Sequence, residues 1–351
     1  MARNSLIADL PTGAAGALTN RNHIINGNFS VAQRGTSFTS TDSLNNDDTY
    51  TLDRWYIVSD GNDVIDVSQE TSTIPTNGKY AISLDVETAN KKFGIAQIIE
   101  GKNCTGLIGE EVTLSFKAKV SDTSKLDNVK AAIIAWSSTE DAVTSDVVSA
   151  WGNEGTNPTL ASNLTYENTP ANLSVTTSYA TYSVTATIDT SSTTNIIVFI
   201  WSDVTDTTAG HFLYITDVQL ERGSNATPFE NRSFSDELKR CKRYYERLDQ
   251  NAGNANYPIA TGVWYQSGET MVMMSYAQKR AAPSITSSSA DFMRCYYAGG
   301  SQVTNEQNPF ENITDSATRI VATMAGDGTS GQGAFCQMNT SSEYVEISAE
   351  L

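Results

Sequence analysis

Histidine is nearly absent from this chain, with only His23 and His211 among 351 residues. That scarcity removes the usual proton shuttle and the commonest metal ligand from most of the sequence. Neither histidine sits in a recognisable motif, and His211, which begins a strand, reads as structural. Cysteine is also sparse. Cys104, Cys241, Cys295 and Cys336 are scattered, with no CxxC pair and no histidine at metal-ligand spacing, so they read as buried thiols. No apolar run is long enough to cross a membrane. Basic residues number 23 against 40 acidic, a net charge of −17. Such a chain is repelled by nucleic acid and anionic lipid, and neither is expected as a direct partner. A neutral glycan or a basic protein surface suits it better.

Catalytic signatures are missing as well. There is no GxSxG elbow, no Walker loop and no dinucleotide fingerprint. The Gly-rich GDGTSGQG at 326–333 lies between two strand patterns with no helix after it, which makes it a loop rather than a phosphate cradle. Acidic pairs such as Asp47–Asp48 and Asp203–Asp206 are expected by chance among 40 acidic residues, and spacing along the chain does not give the carboxyl separation a glycosidase needs. The chain reads as non-enzymatic.

What is present is β patterning. Hydrophobic residues make up 39% and charged residues 18%, a globular composition at a length expected for about two domains. The start, MARNSLIADLPTGAAGAL, lacks a continuous apolar core because Asp9 and Pro11 interrupt it, so no secretory signal is expected. Residues 1–22 read as an extended arm or a disordered terminus. Asn-x-Ser/Thr triplets, as at Asn163 and Asn172, are expected by chance in so Asn-, Ser- and Thr-rich a chain.

From Ile24 to Phe229 apolar residues alternate with polar ones. Tyr80, Ile82, Leu84 and Val86 form one series, and Val112, Leu114, Phe116, Ala118 and Val120 another. Tyr182, Val184, Ala186 and Ile188 repeat the pattern, as do Phe212, Tyr214, Thr216, Val218 and Leu220. The runs AAIIAW and NIIVFIW are apolar on both faces, as central strands are. Short strands between turn-forming clusters, with no helices between them, predict a jelly-roll β-sandwich over 23–230.

Pro228 closes that domain, and a helix follows over 231–250. Ser235 is the expected N-cap, with Asp236 and Glu237 in the first turn and basic residues after them. Phe234, Leu238, Cys241, Tyr245 and Leu248 are spaced 4, 3, 4, 3. That is the seam of a coiled-coil neck, or a stripe packing on a neighbouring sheet. After Gly253, a hairpin around Ser267–Gly268 and four further strand patterns predict a smaller C-terminal β-sandwich over 251–351.

Sugar binding needs an aromatic platform beside polar groups on a rigid scaffold. Trp151 and Tyr166, both in loop-like sequence, are the candidate contacts. Trp136 reads equally as contact or core, while Trp55 and Trp201 read as core. Asp217, with loop carbonyls near Asn26–Asn28, is the candidate position for a structural Ca²⁺.

Five stretches resemble a known family. IINGNFSVAQRGTSF with TYTLDRWYI, then FLYITDVQLERGSNATPFENRSFSDELKRCKRYYER, and KRAAPSIT with the closing EYVEISAEL, are similar to bacteriophage tail-fibre and related virion proteins. The resemblance implies a jelly-roll domain like a carbohydrate-binding module, a helical neck and a distal β-sandwich. It further implies a homotrimer, made in the host cytoplasm and carried on the virion. Its N-terminal arm, through Leu6, Ile7 and Leu10, would dock on other virion proteins of tail or capsid, and distal surfaces would meet a host glycan or protein receptor. In such modules a paired acidic motif often helps bind calcium. Here the corresponding pair is Thr216–Asp217, one carboxylate short. A head fibre or capsid decoration protein of the same build, or a glycan-cleaving tail spike, are the alternatives.

Overall fold

The computed structural model describes residues 20–249 and 257–351. Leu6, Ile7 and Leu10 of the predicted anchor lie outside the described residues. The chain forms two compact units, and the boundary between them falls inside a helix, between Glu237 and Leu238. No helix among the described residues is long and apolar enough to cross a membrane, which says nothing of a β-barrel.

The N-terminal unit is a sandwich of two antiparallel sheets. Six strands form one sheet, in the order Ser37–Phe38, Ile65–Glu70, Ala81–Val86, Phe212–Arg222, Glu111–Val120, Ala180–Thr187. Five form the other, in the order Leu164–Tyr166, Val129–Trp136, Asn195–Ser202, Phe93–Ile99, Tyr56–Ser59. Consecutive strands keep switching between the sheets, as in a jelly roll. The inner faces meet in one buried cluster. It takes Leu84, Leu114, Phe116 and Ile215 from the first sheet, and Ile57, Ile95, Ile133 and Val198 from the second.

The doubly apolar runs are explained by a second cluster on the outer face of the five-stranded sheet. Tyr56, Ile98, Ile134, Phe199 and Trp201 are buried there with Val143, Val147 and Leu164 of the long connection between Trp136 and Ala180. A buried charge network fixes that connection. Lys92 and Lys130, with side chains 2% and 4% exposed, both reach the fully buried Asp203, Lys130 at 2.7 Å. Gly155 N–H donates to the same carboxylate at 2.8 Å.

One strand departs from its predicted phase. A bulge between Thr216 and Gln219, with Asp217 at φ +54°, reverses the facing of Phe212–Arg222. Before the bulge Leu213 and Ile215 point into the core, and after it Val218 and Leu220 do. Phe212, Tyr214 and Thr216 therefore face outward, because one inserted residue shifts a period-two pattern by one.

The helix spans only Phe234–Lys242. Its cap is Ser233 rather than Ser235: Ser233 Oγ accepts from Asp236 N–H at 3.2 Å. The predicted seam does not continue to Leu248. Tyr245 and Leu248 lie in a strand, Tyr245–Asp249, paired with Tyr344–Ser348. Two features account for the stop. Lys279, itself buried, donates to the Lys242 carbonyl at 2.6 Å and to Glu246 at 2.9 Å, taking up a helix-end acceptor. Burial alone would raise the Glu246 carboxyl, but Lys279 and Lys242 hold it below its ordinary value. The aromatic pair Tyr244–Tyr245 also favours strand over helix.

The C-terminal unit is a smaller sandwich. Tyr245–Asp249, Tyr344–Ser348 and Ser284–Ser287 form one sheet, and seven strands from Pro258 to Met338 form the other. Leu248, Val272, Met274, Ile320, Val345 and Ile347 share its core. Cys295 and Cys336 stand opposite each other on neighbouring strands and form a disulfide. This corrects the reading of four thiols, since a cross-strand register invisible in the sequence brings the pair together. Cys104 and Cys241 are buried, and burial pushes the Cys104 thiol up to about 12.

Candidate functional site

A depression lies over the outer face of the six-stranded sheet. In the strand Glu111–Val120 the apolar positions Phe116 and Ala118 are buried inward. Period-two geometry therefore turns Lys117 and Lys119 outward. Antiparallel pairing sets Lys119 against Tyr214 and Lys117 against Thr216. The segment 71–80 crosses this face and is tied down by Tyr179 Oη, which donates to Thr73 O at 2.8 Å, and by Thr216 Oγ1, which donates to Tyr80 O at 2.7 Å.

Two adjoining clefts result, sharing Thr76 and Lys117. One, of about 330 Å³, is lined by Asn28, Asn77, Tyr80, Asp217, Phe229 and Asn231 among others. The second, of about 480 Å³, runs past Pro75, Lys119, Ser178, Tyr179 and Thr181. Lys119 Nζ lies 6.0 Å from the Tyr179 ring centre and 5.7 Å from that of Tyr214, and Lys79 Nζ lies 5.1 Å from the Tyr80 ring. Cations over ring faces at such distances hold both partners in place. Burial, with the nearby Glu70 charge, pushes the Tyr179 phenol up, so it stays a neutral donor. The chain approaches closely here, since a Cβ on Gly27, next to Asn28, would meet Val218 O at 2.1 Å.

The three predicted sugar contacts gather elsewhere, against the outer face of the five-stranded sheet, Trp136 buried and Trp151 and Tyr166 part-buried. Trp136 is 7% exposed, and its Nε1–H donates to Thr139 O at 2.9 Å. Tyr166 Oη donates to Pro158 O at 2.8 Å. Trp151 is half-buried, its ring 6.1 Å from Phe199. The connection folds back over the sheet and covers the face these rings would have offered, so Trp136 is core rather than platform. Tyr179, Tyr214 and Lys119 were not singled out from the sequence. The visible signal was the polar side of the Glu111–Val120 alternation, where two lysines stand two apart.

Asp217 does not fit a calcium ligand. It faces Lys117 Nζ at 2.8 Å, so a cation from the chain itself already meets that carboxylate. Of the chance acidic pairs, Asp203 is enclosed by two lysines, while the exposed Asp206 meets Lys125 at 3.5 Å. His23 Nδ1 lies 3.1 Å from Asn103 O, and His211 Nδ1 lies 3.4 Å from Ser121 Oγ at the start of its strand. Asp47 and Asp48 join a third carboxylate, from Asp146.

No family model matches the chain, and no curated protein matches it. Solved structures similar to it include the enzymatically active domain of bacteriophage CBA120 tailspike protein 4, at 14% identity and a TM-score of 0.33, covering 58% of this chain and 22% of that one. A putative sugar binding protein from Bacteroides thetaiotaomicron matches at 17% identity and a TM-score of 0.32, covering 57% and 100%. A family 16 carbohydrate binding module matches at 14% and 0.28, covering 44% and 84%. This chain thus spans about a fifth of the tailspike chain it matches. At these scores the likeness carries nothing about the site, and the β-sandwich assignment stands on the sheet order itself.

Proposed function

We propose that the chain is a non-enzymatic phage fibre protein that binds a host glycan in the groove over its six-stranded sheet. The observation carrying this reading is the groove's lining. Tyr80, Tyr179 and Phe229 offer ring surface, while Asn28, Asn77, Asn231 and three lysines offer hydrogen-bond partners along the two adjoining clefts. An apolar sugar face stacks on a ring while its hydroxyls need donors and acceptors, and this mixture meets both demands. The virion role and the arm's docking through Leu6, Ile7 and Leu10 rest on the resemblance of the sequence to tail-fibre proteins.

A homotrimer is part of the same proposal, and one surface supports it. On the seven-stranded sheet Tyr296, Phe335, Thr261 and Met273 stand side by side on successive strands. The three apolar ones are 39%, 44% and 55% exposed, and Val263 and Tyr265 extend the patch. Exposed apolar faces of this kind mark association surfaces. Three weak glycan sites on one fibre then act by avidity.

Screening the full-length chain on a glycan array tests the reading, with a viscosity assay on the polysaccharide that binds. Retention of a defined glycan without loss of viscosity is expected. Falling viscosity would make the chain a cleaving spike, and no retention on any glycan would remove the binding role.

A further inference from the structure

Resting on the glycan-binding reading above, we infer that the sugar held over the six-stranded sheet is anionic, its charge carried by a carboxylate or a sulfate ester, and that Lys79 and Lys119 select it. The net charge of −17 points the other way, toward a neutral ligand. A local field is set by the groups lining a cleft, however, and walls of one sign of charge concentrate that field. Here the lining is basic. Lys79, Lys117 and Lys119 line the two clefts, and among the described residues Asp217 is the one acid beside them. Lys117 meets that carboxylate at 2.8 Å, which leaves Lys79 and Lys119 as surplus positive charge. Glu70, just before segment 71–80, accepts from the backbone N–H groups of Ser72 and Thr73, the latter at 2.9 Å, and makes no ion pair with either lysine.

Lysines of this acid-rich chain ordinarily find a carboxylate. Eight of the eleven do so within 3.8 Å. Among the described residues Lys79, Lys119 and Lys239 are the exceptions, and two of those three stand in the groove. Rings hold both of them. Lys119, part-buried, lies against Tyr179 and Tyr214, and Lys79 lies against Tyr80. A ring face steadies an ammonium group electrostatically and leaves its three N–H donors for acceptors. Each lysine therefore keeps its position, its donors and its charge for a ligand.

An anionic sugar completes this set. Its hydroxyls meet the asparagines, and its carboxylate or sulfate meets the ammonium groups through charge-assisted hydrogen bonds, which are stronger than neutral ones. A neutral sugar of the same shape would leave both lysines without a counter-charge. A long polyanion reaching beyond the groove would run into the acidic remainder of the surface, so selection favours an acid group displayed on a sugar that fits the groove.

The test is retention of the full-length protein on an array of microbial polysaccharides, each acidic one spotted beside its carboxyl-reduced or desulfated form, with neutral polysaccharides and poly-L-glutamate as controls. Retention is expected on acidic spots and about tenfold weaker on their neutralised partners, because hydrogen bonds to charged groups contribute more than neutral ones. Which treatment abolishes retention tells carboxylate from sulfate. Binding should weaken as salt rises from about 0.05 to about 0.5 M, which screens exposed charge. Lys79→Gln with Lys119→Gln should lose about tenfold on acidic spots at unchanged Tm, while Lys119→Arg, which keeps the charge over the rings, should still bind. Equal retention on neutralised spots, or full retention of the double glutamine variant, overturns the inference and leaves glycan binding standing. Retention on poly-L-glutamate as strong as on the acidic glycans overturns it as well, since the groove would then be a general anion surface. Retention on no glycan at all removes the glycan-binding reading itself.

Discussion

Asp203→Asn is the perturbation with the clearest predicted consequence. In the native fold this carboxylate holds two lysines that have left water, Lys92 and Lys130, and accepts from Gly155 N–H. Lys92 also donates to Asn153 O at 3.1 Å, and Lys130 to Asn157 Oδ1 at 3.0 Å, so the pair anchors the turn 153–157 beside Trp151. A neutral amide keeps the volume and one acceptor but leaves two ammonium groups without a counter-charge. The attraction of Lys130 at 2.7 Å is worth about 6 kcal/mol at an effective dielectric of 20, largely offset by desolvation. What appears on removing one partner is that desolvation left uncompensated, about 3–5 kcal/mol. For a domain of this size the loss lowers Tm by roughly 6–20 °C. Calorimetric scans should place the shift in the N-terminal unit's transition, and Trp151 emission should move red at lower denaturant. Replacing all three residues together, Asp203→Leu with Lys92→Met and Lys130→Met, should recover most of the loss, because an apolar triad replaces an ionic one at little cost. A shift in Asp203→Asn within about 2 °C, as for an ordinary surface change, would refute the argument.

Other perturbations give separate tests. Burial first, then Glu87 and Asp66 and against His211, lift the Asp85 carboxyl to about 6. The folded state therefore holds a proton that the unfolded chain, with an ordinary value near 3.9, gives up. This group's contribution to stability is present below about pH 4 and fades as pH rises through 6. Asp85→Asn should flatten that decline in a Tm-against-pH series, and an unchanged slope would show another group responsible. Reducing Cys295–Cys336 opens a loop with a sequence separation of 41 and should destabilise the C-terminal unit by about 2–4 kcal/mol. The denaturant midpoint with and without reductant measures it, and coincident curves would contradict it. If the proposed homotrimer forms through the exposed apolar patch, Met273→Asp with Phe335→Asp should release monomers in sedimentation equilibrium while far-ultraviolet circular dichroism stays the same. Retained trimers would move the interface elsewhere.

Much of the fold was legible because period-two alternation reports burial directly. Val112 to Val120 face inward as read, and the double-faced runs AAIIAW and NIIVFIW are buried on both sides. What escaped depended on events that alternation cannot carry. The bulge at Asp217 moved Phe212 and Tyr214 to the outer face, and nothing in the local pattern announces an extra residue. Tyr245 and Leu248 fit a helical spacing as well as a strand, and a partner from the far end of the chain decided between them. The setting of the predicted sugar contacts escaped for a related reason. Loop-like sequence around Trp151 and Tyr166 suggested exposed rings, but the connection carrying them covers its own sheet. Tyr179, in an unremarkable TTSYAT stretch, gained its place from segment 71–80, over a hundred residues earlier.

The central claim is that glycan is held over the six-stranded sheet rather than on the tryptophan-bearing connection. The most direct measurement is glycan-array binding by three full-length proteins: wild type, Tyr179→Ala with Lys119→Ala, and Trp151→Ala. The account predicts that the groove variant loses about tenfold or more in affinity, roughly 1.4 kcal/mol, while Trp151→Ala binds as wild type. Loss in Trp151→Ala with full binding by the groove variant would contradict it and return the site to the other face.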